Sequence, residues 1–237
     1  RRKPYGRLMT LKHDPRIRGL NAMSRYVTEV VGTFFLVFTT GLMAMGGTPW
    51  APLAVGAVLM GMVYMGGHIS GAHYNPAVSV AILIRGKMPA RDLLPYVISQ
   101  LLGAILACLA VRVITGGTFA PAPSVDVGLV AVLLAESLFT FALALVILNV
   151  ATDEGTEGNS FYGLAIGFTM MAGAFSVGSI SGGVFNPAVG TGPILIDMFL
   201  GDGSLTNLWI YWVGPLLGGV AAAGAFDLMH TESAASQ

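Results

Sequence analysis

The chain has 237 residues, of which 54% are hydrophobic and only 10% charged, with a mean hydropathy of +0.75 and zero formal net charge. An average soluble domain is about a quarter charged, so this composition argues against a soluble fold. It argues equally against a nucleic-acid partner, which needs a basic surface, and against disorder, which needs polarity.

All twelve basic residues lie at or before Arg112, and eight fall within the first 25 residues. The opening RRKPYGRLMTLKHDPRIRG is basic and broken by Pro4, Gly6 and Pro15, so residues 1–23 read as a cytoplasmic tail rather than a helix. It lacks the short apolar core and small-residue cleavage site of a secretion signal. The chain does not begin with Met, so residues ahead of Arg1 are expected.

A bilayer-crossing helix needs about 20 mostly apolar residues. Six stretches meet or approach this, at 24–46, 51–67, 92–114, 128–150, 161–178 and 206–227. Their continuous apolar runs argue against a β-barrel, whose strands alternate over about ten residues. The predicted architecture is an all-α membrane protein, with a membrane domain over 24–229 and a C-terminal tail at 230–237. Basic residues are retained on the cytoplasmic side. The tail and the Arg85, Lys87, Arg91 segment fall on one side, so both termini are expected there. A cell membrane, inner or plasma, is the expected location.

The same order of features occurs twice. Glu29, Thr33-Phe34, GGHISGAHYNPAV (66–78) and PYVISQLLGA (95–104) are matched by Glu136, Thr140-Phe141, GSISGGVFNPAV (178–189) and IYWVGPLLGG (210–219). Equivalent positions differ by 107, 111 and 115 residues. Repeat one covers about 24–115 and repeat two about 128–229. Three spans per repeat is an odd number, so the second copy enters from the opposite face, an arrangement that places a site near the midplane.

Each repeat contains one segment too short to cross the bilayer, at 68–83 and 180–196. Proline suits the first turn of a helix and asparagine is a preferred N-cap. Asn75-Pro76-Ala77 and Asn186-Pro187-Ala188 therefore predict two half-helices of about ten residues, which enter from opposite faces and meet. Irregular backbone at membrane depth is tolerated where it is buried or lines a watery cavity. The carbonyls of Gly71, Ala72 and His73, and of Gly182, Gly183 and Val184, are thus candidate acceptors along a pore. Two positive helix ends converging at the midplane disfavour cations and interrupt proton conduction.

On these motifs the chain resembles the major intrinsic protein family, the aquaporins and aquaglyceroporins, over about residues 24–229. The resemblance implies six transmembrane helices plus two half-helices, a pore in every subunit and a homotetramer in the lipid bilayer. It also implies that Asn75 and Asn186 are the pore asparagines, and that Glu29 and Glu136 are buried supports of the half-helix loops. His68 and His73 fall on family positions of the first loop. Their five-residue spacing is poor for a metal pair, so no metal and no cofactor are expected.

In the family the selectivity filter is set by four positions, which align here with Val55, Ala174, Gly183 and Val189. The last is normally an arginine. Its absence, with four small or apolar residues, implies a wide filter that passes water and small neutral solutes such as urea, ammonia, hydrogen peroxide, glycerol or neutral metalloid acids. Valine at this position resembles some plant vacuolar members and certain bacterial channels associated with metalloid export. Gly190 and Ile194 stand where aquaglyceroporins usually carry Asp and a basic residue, and Tyr211-Trp212 resembles the water-channel branch. A water-only channel and an ion-coupled transporter are the alternatives, the latter needing acidic groups near the midplane where only Glu29 and Glu136 are available. No catalytic motif is visible, so the chain is not expected to be an enzyme. The single Cys108 excludes an internal disulfide.

Overall fold

The computed structural model describes residues 22–230. The basic tail before residue 22, with its expected topological role, and residues 231–237 lie outside them. Within the described residues the chain forms eight α-helices: α1 Ala22–Gly46, α2 Ala51–Gly66, α3 Pro76–Ile84, α4 Ala90–Thr115, α5 Leu129–Thr152, α6 Tyr162–Ser181, α7 Pro187–Leu200 and α8 Ile210–His230. A 3-10 turn at Glu154–Thr156 joins α5 to α6.

Five of these helices, α1, α4, α5, α6 and α8, are long and apolar enough to cross a membrane. The sixth, α2, has 16 residues and would extend about 24 Å at 1.5 Å per residue. It is lengthened by turns in which Ser70 N donates to Gly66 O and Gly71 N to Gly67 O. The second half-helix, α7, has 14 residues rather than about ten. It runs through Pro193 and stops only at Gly201, whose N donates to Asp197 O.

The packing repeats with the sequence. Helix α1 lies along α4 as α5 lies along α8; α1 touches α2 as α5 touches α6; α3 packs on α8 as α7 packs on α4. Only α2 against α6 and α3 against α7 are self-matched, which places the pseudo-twofold axis between them. The matched long pairs approach closely because each carries a glycine at the crossing. A Cβ at Gly103 would overlap Val30 O on α1, and one at Gly218 would overlap Ser137 O on α5. Without a hydrophobic driving force between helices in lipid, such close backbone approach supplies much of the association.

The outer surface carries the apolar side chains a bilayer requires. Phe35, Leu94, Leu134, Leu138, Phe168 and Leu217 are all exposed. The polar residues go inward instead: Glu29, Gln100, Glu136 and Ser79 are 0% exposed, and Asn75 and Asn186 3%.

Candidate functional site

The half-helices α3 and α7 begin alike. Asn75 Oδ1 accepts from Ala77 N and Asn186 Oδ1 from Ala188 N, each at 2.9 Å, with Pro76 and Pro187 in the first turn. The capping oxygens leave the two amide nitrogens free to bond elsewhere. Asn75 Nδ2 donates to Phe185 O, and Asn186 Nδ2 to Tyr74 O, both at 2.8 Å. Each helix start is thereby tied to the loop that precedes the other.

Those loops share an unusual backbone. Gly71, Ala72 and Tyr74 have positive φ, as do their repeat equivalents Gly182, Gly183 and Phe185. For Ala72, Tyr74 and Phe185 this left-handed conformation costs of order 1–3 kcal/mol each and persists only where the surroundings impose it. Two buried carboxylates supply that constraint. Glu29 Oε1 accepts from Ser70 Oγ (2.7 Å) and His73 N (3.0 Å), while Oε2 accepts from Tyr74 N (2.7 Å) and Gln100 Nε2 (2.8 Å). Glu136 Oε1 accepts from Ser181 Oγ (2.7 Å) and Val184 N (3.0 Å), and Oε2 from Phe185 N (2.6 Å). The start of each loop is held by a tyrosine: Tyr96 OH donates to Ser70 O and Tyr211 OH to Ser181 O. These tyrosines carried a signal, since they occupy equivalent places in the repeat.

With the amides turned to the carboxylates, the carbonyls are left over. Among the described residues no loop, cap or side-chain donor reaches the carbonyl of Gly71, Ala72, His73, Gly182, Gly183 or Val184. The backbone thus offers acceptors at the helix starts, as unpaired peptide groups must when they line a cavity.

Two cavities adjoin these loops. The outer one has a volume of about 260 Å³, and its wall includes Val55, Ala174, Gly183 and Val189, the four positions aligned with the family filter, together with Gly182 and Val184. The inner one is a neck of about 10 Å³ bordered by Ala72, His73, Asn75 and Asn186. Gly71 falls outside both linings. A water needs about 10–15 Å³ of such space, so the neck is about the size of a single water. His73, 5% exposed, meets Ser79 Oγ at 3.0 Å through Nδ1, whereas His68 is exposed.

The outer wall has one aromatic contribution that the four aligned positions do not supply. Phe119, from the loop between α4 and α5, lines the cavity, and its ring occupies the space that a Cβ on Gly41 would take. Its loop is held by Thr118 Oγ1, which donates to Asp197 Oδ1 at 2.5 Å, and by Ser124 N, which donates to Ile180 O at 3.0 Å. Nothing in the local sequence of this loop marks Phe119 as a wall residue.

A helical bundle with two opposed half-helices, crossed asparagines and two cavities that meet at Met170 has the architecture of a channel. The family model of the major intrinsic proteins matches residues 16–226. The chain belongs to the major intrinsic protein family. It is 38% identical over 218 residues to aquaporin NIP1-1 of Zea mays, covering 88% of this chain and 75% of the relative. It is 36% identical over 244 residues to aquaporin AqpM of Methanothermobacter thermautotrophicus, covering 88% of this chain and 98% of the relative. Among solved structures, the aquaglyceroporin from Plasmodium falciparum shares the fold with a TM-score of 0.78, at 23% identity, over 87% of this chain and 96% of that one. This major intrinsic protein is therefore an integral membrane protein and a passive channel for water or small solutes, not an enzyme.

Proposed function

We propose that this channel conducts water together with somewhat larger neutral solutes, of the class of urea, ammonia, hydrogen peroxide, glycerol or undissociated metalloid acids. The observation that carries the reading is the wall of the outer cavity. Val55, Ala174, Gly183 and Val189 present no charge and no side-chain hydrogen-bond donor, so a neutral solute meets mostly apolar surface and backbone acceptors. An arginine at position 189 would add five donors and a permanent charge.

Ions are excluded by a different device. The N-termini of α3 and α7 converge near the axis, and the positive ends of their dipoles, with the crossed amides of Asn75 and Asn186, oppose cations. Crossed asparagines also orient a central water and break a proton-conducting file. The ion-coupled alternative finds little support in the carboxylates, because Glu29 and Glu136 are engaged by their own loops. We further infer a homotetramer in a cell membrane with both termini cytoplasmic, as family resemblance and the placement of basic residues suggest.

The test is stopped-flow permeability of proteoliposomes to water and to a panel of the solutes above. Uptake of both water and at least one larger solute is the expected result; water permeability with no solute uptake would overturn the wide-filter reading. Val189→Arg is expected to narrow the solute range while water still passes.

A further inference from the structure

The four positions that line the outer cavity are separated from the midplane by a taper built into the helices. Along α6, Gly178, Ala174, Met170 and Ile166 recur at the four-residue spacing of one helix face. Gly178 and Ala174 border the outer cavity, Ile166 borders the neck, and among the described residues Met170 alone borders both. The same gradation occurs on α1, where Ala44 and Thr40 face the outer cavity and Leu36 the neck. On α2 the step is smaller, from Val55 at the outer cavity to the larger Leu59 at the neck. Side chains thus gain bulk from the mouth inward, and available space falls from about 260 Å³ to about 10 Å³.

We infer that Met170, and not the ring of four aligned positions, sets the size limit of this channel. The inference rests on the proposed pore but not on the width of its outer ring. Met170 is 4% exposed, sits one turn from Ala174 on α6, and borders the outer cavity beside it. On its other side lie Leu36, Ile166 and the asparagines. A solute that has passed Val189 must therefore pass Met170 before it reaches the amides of Asn75 and Asn186. Three rotatable bonds and a polarisable sulfur let methionine adapt to what lies against it. It therefore acts as a compliant collar, which admits slender neutral molecules and resists branched or bulky ones. Its side chain brings no charge and no N–H or O–H donor, so it discriminates by girth and leaves hydrogen bonding to the loop carbonyls.

The experiment compares the wild type with Met170→Ala, Met170→Phe and Val189→Arg in proteoliposomes, using water, urea, glycerol and the four-carbon polyol erythritol. Met170→Ala is expected to raise the erythritol-to-water permeability ratio by about tenfold or more, the scale on which one or two methylenes discriminate in a tight apolar site. Met170→Phe is expected to suppress glycerol and erythritol more than water. Met170→Leu, similar in volume, controls for folding and should keep the wild-type ratios. If Met170→Ala and Met170→Phe leave every ratio unchanged while Val189→Arg narrows the range, the collar is overturned and the outer ring stands as the limit. If neither position alters the ratios, both readings fall. A wild type that passes only water, with erythritol flux gained in Met170→Ala, would overturn the wide-filter reading and uphold the collar.

Discussion

The two repeats hold their loops by the same plan but with unequal means. In the first, Glu29 is engaged by four donors, and Gln100 extends the network to Ser79, whose hydroxyl also meets His73. In the second, Glu136 is engaged by three, and Pro215, Gly190 and Val184 stand at the positions of Gln100, Ser79 and His73. The halves keep the contacts that hold the loop backbone and differ in those that join side chains to one another. What the repeat preserves is the placement of the carbonyls; what it varies is the polarity behind them.

The largest expected effect attacks what the halves share. Glu29→Ala would leave Ser70 Oγ, His73 N, Tyr74 N and Gln100 Nε2 without their partner, and Glu136→Ala would do the same to three donors. At about 1–3 kcal/mol per stranded buried group, neither variant should survive detergent extraction as a monodisperse, permeable channel. Normal size-exclusion profiles and water flux for both would refute the role given to the carboxylates.

Next comes an attempt to make the second half like the first. Gly190→Ser cannot reproduce Ser79, because a Cβ there collides with the Cβ of Tyr211; overpacking of this kind costs about 1–3 kcal/mol. The expected readout is a lower Tm in detergent, whereas Ser79→Gly in the first half should lower it less. Asn75→Ala and Asn186→Ala should be more even. Each removes one cap and one crossed hydrogen bond, for about 1–2 kcal/mol in either half, and unequal Tm losses would show that the crossing is less symmetric than its matched 2.8 Å bonds. The smallest effect is expected for Gln100→Leu, which reduces the first network to the composition of the second. Interhelical hydrogen bonds in membranes average about 0.6 kcal/mol, and the carboxylate acceptor places this one nearer about 1 kcal/mol. Water permeability should be retained, and a lost channel would mean that Gln100 holds more than a fourth bond to Glu29.

Much of this architecture is legible in the sequence. The expected spans at 24–46, 92–114 and 128–150 correspond to Ala22–Gly46, Ala90–Thr115 and Leu129–Thr152, because long apolar runs leave a helix little alternative in a bilayer. The Asn-Pro pairs marked the starts of α3 and α7 for a local reason, since cap and first turn are set by neighbouring residues. Helix ends were harder: α7 continues to Leu200 and α8 begins at Ile210 rather than 206, where turn-forming residues compete with apolar ones. The crossed bonds from Asn75 to Phe185 and from Asn186 to Tyr74 had no local signal, since they join residues more than 100 positions apart. Met170 was equally hidden. A methionine in an apolar helix looks like lipid-facing or core filling until the neighbouring helices show which side of it is open.

The crossed asparagines also bear on how the chain is made. Asn75 emerges during synthesis 110 residues ahead of Phe185, the carbonyl to which its amide donates. Ala77 and Glu29, partners of the first half-helix and its loop, lie within the same repeat, whereas the long-range acceptor of Asn75 does not. The loop of the first repeat therefore has its full set of hydrogen bonds only with the second repeat present, since Tyr74 O receives Asn186 Nδ2. Two lengths of chain that look like independent units thus complete each other, and a first half made alone would lack the acceptor of Asn75 and the donor to Tyr74.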